Sequence, residues 1–224
     1  MKRALTVWIG VLTLAVVLGC GLALAQDQEY ALKDYMPETV GSKWTMKMTR
    51  DQGEVTIIYE VDKARDIGGQ QAMPILMKSQ DGTLMRGSLE SVSDTSLTLY
   101  GTIMVPRGDQ AGGEPVTMLY TPPAVFPGKM KVGETKEAAV QSSRGDRQMD
   151  LTMKLALAAV EPVTVPKGTF EGCLKLVYTT SFGRGEMTRT IWYAKGVGIV
   201  KTETSGYGNR PAQVAELTDY ELGK

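Results

Sequence analysis

The chain has 224 residues, with 25 basic side chains against 25 acidic ones, two cysteines and no histidine. A balanced charge without a basic run leaves no footprint for nucleic acid and none for an anionic membrane surface. The lack of histidine excludes Ser-His-Asp and Cys-His catalysis and nearly excludes an ordinary zinc site, because imidazole is the usual base near neutral pH and the commonest metal ligand.

The first element is a leader. Met1, Lys2 and Arg3 form a basic start, Ala4 to Leu24 carries no charge, and Ala23 and Ala25 make an Ala-x-Ala cleavage site. The favoured expectation is cleavage after Ala25, export to the periplasm or cell envelope, and a single β-rich domain over residues 26–224. Two alternatives stay open. "VLGC", ending at Cys20, resembles a lipobox in which Cys20 would be lipidated, although Leu18 and the apolar "GLALA" that follows depart from that pattern. The uncharged run is also about long enough to stay as an anchor. No later run is long enough to span, so the mature chain is expected to hold no membrane span, with a lipid anchor left open.

The segment Tyr30 to Met36, stopped by Pro37, is the first helix candidate. Beyond it the pattern has period two. Trp44, Met46 and Met48 alternate with Thr45, Lys47 and Thr49; Val55, Ile57, Tyr59 and Val61 follow; then Leu97, Leu99, Ile103 and Val105. Such alternation predicts strands with one buried face. Met149 to Leu157 fits a helix face as well as a strand, but its alternation is cleaner and caps are missing, so it is read as a strand. Leu174, Leu176 and Tyr178 begin another strand. Gly- and Pro-rich turns punctuate the runs, among them "DIGGQ", "TPPAVFPG", "VPKG" and "AKGVG". The expected fold is all-β, a strongly curved antiparallel meander or half-barrel with few short helices. "PETVGSKW" and "PGKMKVGETK" both place Val-Gly before a strand, read as similar turn chemistry rather than duplication.

Several motifs carry less than they suggest. "RGD" occurs at Arg107–Asp109 and Arg144–Asp146 and reads as polar turns. Gly196-x-Gly198 lacks the third glycine and the following helix of a nucleotide loop, so it reads as a hairpin: strand Met187–Ala194, turn Lys195–Val197, strand Gly198–Thr204. There Ile191 and Tyr193 should share one face, with Trp192 on the other. Cys173, left without an intrachain partner, reads as a small buried residue. The 13 methionines are scattered at strand spacing, which favours core filling or an adaptable cavity over a soft-metal site. Glu186, Glu203, Glu216, Asp219 and Glu221 fall on expected solvent faces. No metal and no cofactor is expected.

Three stretches in order carry a resemblance: "DYMPETVGSKWTM" at Asp34–Met46, "VTVPKGTFEGCLKL" at Val163–Leu176 and "WYAKGVGIVKTE" at Trp192–Glu203. The set is similar to a group of exported bacterial proteins with VPxGTF and WYAxGVGxVK motifs and no assigned activity. Lys195 stands where that group usually shows proline. The group in turn resembles LolA/LolB-like lipoprotein carriers, half-barrels whose concave face holds acyl chains. A curved sheet that does not close must cover its concave side with its own loops or with a ligand, and the Pro-rich Thr121–Met130 segment is a candidate lid.

The functional expectation is a non-enzymatic exported binding module whose concave apolar face takes a lipid, a lipidated protein or another hydrophobic ligand. Trp44, Met46, Met48 and Trp192 are the candidates for that face. The alternative is an envelope structural or protein-interaction domain with a fully packed core. A carboxylate-based hydrolase would gain ground only if two acids met in one pocket with raised pKa values.

Overall fold

A computed structural model describes residues 28–50, 53–106, 113–144, 147–183, 185–206 and 211–224. The leader 1–25 with Cys20, and the Arg107–Asp109 motif, lie outside the described residues. Of the second RGD motif only the backbone of Arg144 is inside, ending a strand.

Fifteen strands follow in chain order: β1 Glu29–Ala31, β2 Lys43–Arg50, β3 Gly53–Val61, β4 Arg65–Ile67, β5 Gln70–Ser79, β6 Leu84–Val92, β7 Ser96–Met104, β8 Val116–Pro127, β9 Lys129–Lys131, β10 Thr135–Arg144, β11 Arg147–Val165, β12 Gly168–Phe182, β13 Gly185–Ala194, β14 Gly198–Thr204 and β15 Gln213–Glu221. The all-β expectation holds, and the ambiguous stretch at Met149–Leu157 lies within β11. The helix expected at Tyr30–Met36 does not form. Tyr30 and Ala31 pair with Met130 and Lys129 of β9, leaving only a 310 turn at Leu32–Asp34, and so short a segment cannot nucleate an α-helix unaided.

The larger correction concerns closure. The long strands follow one another in the order β3, β2, β15, β14, β13, β12, β11, β10, β8, β7, β6, β5, and β5 then pairs back onto β3. This is a closed twelve-stranded antiparallel barrel rather than an open sheet or half-barrel. The β2–β3 hairpin bridges the gap, with β2 on β15 and β3 on β5. Among the described residues, closure gives each of these long strands a partner on both sides, which is the physical gain over an open sheet, although β8 and β10 pair only at Thr121–Gln141 and Tyr120–Ser142.

The Thr121–Met130 segment is a wall and not a lid. It falls mostly in β8, between β7 and β10, with Ala124 and Phe126 buried. The register with β7 slips between the Gly101–Leu119 and Leu99–Ala124 pairs, and Pro122 and Pro123 sit in that slip, where a missing N–H costs no ladder bond. The two Val-Gly turns place Gly41 and Gly133 at φ +86° and +85°, each just ahead of a strand.

Alternation sorts the residues of each wall strand. On β2, Trp44, Met46 and Met48 are buried while Lys43, Lys47 and Thr49 are exposed. The outer surface carries ion pairs such as Lys47–Glu54 at 2.6 Å, Lys78–Glu60 at 2.7 Å and Lys154–Glu137 at 3.1 Å. A membrane-spanning barrel needs an outward apolar band instead. Among the described residues, no helix is long and apolar enough to cross a membrane.

One end of the barrel is stoppered by the chain's own start. Leu32 is fully buried and its N–H donates to Gly128 O at 2.8 Å; Gly196 N–H donates to Asp34 O at 2.8 Å, and Lys195 pairs with Asp34 at 3.1 Å. The long β11–β12 hairpin bends at register shifts near Leu157 and Glu161. Its tip lies along β15, where Lys167 N–H donates to Leu217 O and Lys167 Nζ meets Asp219 at 2.6 Å.

Candidate ligand cavity

The barrel is not packed solid. Between the stopper and the wall lies a cavity of about 250 Å³. The stopper contributes Met36, Pro37 and Glu38; the wall contributes Trp44, Tyr59, Met77, Arg86, Glu90, Tyr120, Met153, Tyr178, Met187, Arg189, Ile191 and Tyr193, among others. The volume is slightly under the roughly 300–1,000 Å³ of pockets for drug-sized ligands, so it suits one slender guest. Four methionines, Met36, Met77, Met153 and Met187, give that lining adaptable walls.

The four candidates from the sequence separate. Trp44 lines the cavity, and its indole N–H donates to Val197 O at 2.7 Å, tying β2 to the β13–β14 turn. Met46 and Met48 point inward from the same strand but are buried in packed core outside the lining. Trp192 faces outward. Its ring is covered by Lys175 Nζ at 5.0 Å and Lys201 Nζ at 5.2 Å, and its N–H donates to Glu161 at 2.7 Å. The hairpin itself follows the sequence expectation, with Ile191 and Tyr193 inward. Gly198, at φ +101°, has no room for a side chain, since a Cβ there would lie 2.6 Å from the Trp44 ring.

Sequence reading passed over the polar heart of the cavity. Arg189 Nη2 donates to Tyr59 Oη at 3.0 Å, with the guanidinium carbon 5.6 Å from the ring centre. Arg86 also hydrogen-bonds the Tyr59 hydroxyl. Burial alone would push the Tyr59 phenol up, but the charges of Arg189 and Arg86 outweigh it and hold it below its ordinary value. Burial raises Tyr178 and Tyr193, which share a hydrogen bond. Glu90 accepts from Ser88 Oγ at 3.0 Å and is raised by burial against the pull of Ser88 and Arg189. Glu38 is pushed up to about 7 by burial, with Glu90 adding to the rise and a bond to the Val92 backbone opposing it. Among the described residues, two buried side-chain polar atoms have no hydrogen-bond partner, Glu38 Oε1 and Arg189 Nε, and both residues line this cavity. The available signal was parity: Arg189 lies two and four residues before Ile191 and Tyr193, so strand geometry turns it inward with them.

Chemically the site offers an apolar wall, two guanidiniums and two carboxyls of raised pKa. The Cys173 thiol lies elsewhere, fully buried, donating to Phe170 O and pushed up to about 11 by burial, which makes it unreactive. Among the described residues, no three Asp, Glu, Cys or His side chains gather as a metal site would require.

The sequence profile of one family, DUF3108-like, matches residues 39–212, most of the chain. The chain belongs to the DUF3108-like family. That match takes in the strands from β2 to β14 and most of the cavity lining. No curated protein sequence matches this DUF3108-like chain. Among solved structures it is similar to a suspected lipoprotein from Parabacteroides distasonis ATCC 8503, at 18% identity and TM-score 0.45, covering 83% of this chain and 97% of that one. It is also similar to a suspected exported protein with a YmcC-like fold from Bacteroides fragilis NCTC 9343, at 17% identity and TM-score 0.45, covering 84% and 98%. The hypothetical lipoprotein YmcC of Escherichia coli K12 matches at 11% identity and TM-score 0.35, covering 93% and 98%.

Proposed function

We propose that this DUF3108-like protein is a non-enzymatic exported binding protein that takes a hydrophobic ligand inside its barrel. The observation that carries the reading is the methionine- and aromatic-lined cavity, held open in the middle of an otherwise close-packed interior. The leader sequence supports release into the periplasm or cell envelope, by cleavage after Ala25 or by lipidation at Cys20. The analogy with LolA/LolB-like carriers supports it only through the idea of an apolar interior, because the wall here is closed. A lipid or the acyl chain of a lipidated protein fits such a space better than a bulky polar solute.

A second reading is favoured by one observation. Glu38 and Glu90 meet in one cavity, both with raised pKa values, which is the arrangement a carboxylate-based hydrolase would need.

Native mass spectrometry of the protein purified from its own envelope tests both. The binding reading expects a species heavier than the processed chain and a lipid in the organic extract. A bare chain with a lipid-free extract would remove it. The hydrolase reading expects cleaved ligand from the wild type and intact ligand from Glu90→Gln.

A further inference from the structure

Arg189 is the charge in this cavity that feels Glu90 and Tyr59 but meets no carboxylate at ion-pair distance among the described residues. A guanidinium does not lose its proton under biological conditions, so burial leaves it charged. One of its five N–H groups goes to the Tyr59 hydroxyl. Its Nε–H has no acceptor at all. Among the described residues, no carboxylate oxygen stands within ion-pair distance of it, whereas every surface lysine that touches the neighbouring outer face has one: Lys175 with Glu161 at 3.5 Å, Lys201 with Glu203 at 3.0 Å. A buried cation is tolerated when it is paired, and its pairing is strongest with a planar oxyanion that meets the guanidinium fork.

Arg86 brings a second guanidinium to the same Tyr59 oxygen, so both forks converge on one point of the wall. Apolar side chains surround that point: Met77 pairs with Tyr59 on one side and Arg86 on the other, and Met187 lies two residues before Arg189 on the inward face of β13. The cavity therefore sets a cationic point in an apolar lining, and its volume suits a single unbranched chain.

We infer that the ligand is a single-chain amphiphile with a monoanionic carboxylate head, the head seated at Arg189 beside Tyr59 and Arg86 and the tail held by the apolar remainder of the lining. The inference rests on the binding reading above and adds the chemistry of the head. A guanidinium with no carboxylate at ion-pair distance and a free Nε–H calls for one planar oxyanion. Glu38, raised by burial and by Glu90, stands near neutrality and need not repel that head.

The test is isothermal titration of the purified full-length mature chain with three probes of equal chain length: dodecanoate, dodecanol and dodecyltrimethylammonium. A pH of about 6.5 keeps the fatty acid ionised. Dodecanoate is expected to bind at least tenfold more tightly than dodecanol, with the ammonium weakest. Arg189→Met is expected to bring dodecanoate down to the level of dodecanol while leaving dodecanol bound. Equal binding of dodecanoate and dodecanol to the wild type would overturn the head assignment and leave the hydrophobic-ligand reading standing. Tighter binding of the ammonium would overturn the assignment by sign. No binding of any probe would overturn both. The wild-type series decides the matter even if Arg189→Met does not fold.

Discussion

Strand β13 has two faces that treat charge in opposite ways. Outside, Trp192 sits under two lysines, and each lysine has a carboxylate partner and access to water. Inside, three residues earlier, the half-buried Arg189 donates to the Tyr59 phenol, feels Glu90 without an ion-pair contact, and keeps a buried Nε–H without an acceptor. The outer arrangement costs little and contributes little, because solvent screens it. The inner one is expensive in a protein whose net stability is only about 5–15 kcal/mol. Across one strand, the fold gives its outer cations carboxylate partners and leaves Arg189 without one at ion-pair distance among the described residues.

The contrast can be broken from several sides. The largest effect is expected at Gly198, where an alanine must both adopt positive φ and push against the Trp44 ring. Gly198→Ala should lower unfolding free energy by about 3 kcal/mol in urea melts, with loss of the inner face before the outer. Glu38 comes next. Its carboxyl holds a proton to about 7 in the folded chain against an ordinary value of 4.5, so the folded state binds that proton more tightly than the unfolded one. Its contribution is therefore present below about pH 4.5 and is lost as the pH rises through about 7. With a discount for partial exposure, the loss is about 2 kcal/mol, and Glu38→Gln should remove that slope from a pH series of denaturant melts.

Arg189→Met sharpens the comparison most, because its sign is unusual. Removing an unpaired buried charge in favour of a flexible apolar side chain should raise the stability of the ligand-free protein by about 1 kcal/mol. A fall of that size would make Arg189 a structural residue. The smallest effects belong outside. Lys175→Met and Lys201→Met should each shift stability by no more than about 0.5 kcal/mol, since an exposed ion pair and a solvated cation over a ring are both weak.

Much of the wall could be read from the sequence because its cause is local. The β13–β14 hairpin follows from alternation plus two glycines, and β11 from the clean period of Met149 to Leu157. Closure could not be read, because it depends on β2 meeting β15 and β3 meeting β5, pairings that no local pattern encodes. The methionines show the same limit. Met46 and Met48 carry the clearest alternation and lie in packed core, whereas the lining uses Met36, Met77, Met153 and Met187 from four separate segments. Which inward residues meet packing and which meet space is decided by the diameter and stopper of the finished barrel. Glu90 and Arg189 are hidden because charged residues in strands ordinarily face water, and Glu38 because it lies in the irregular stretch between the 310 turn and β2.

The methionines also give the most direct test. With 13C-labelled methionine methyl groups, titration of dodecanoate into the folded chain should move the resonances of Met36, Met77, Met153 and Met187 and leave Met46 and Met48 in place. A titration that moves none of the four, or moves only the exposed Met104 and Met149, would contradict an internal binding site.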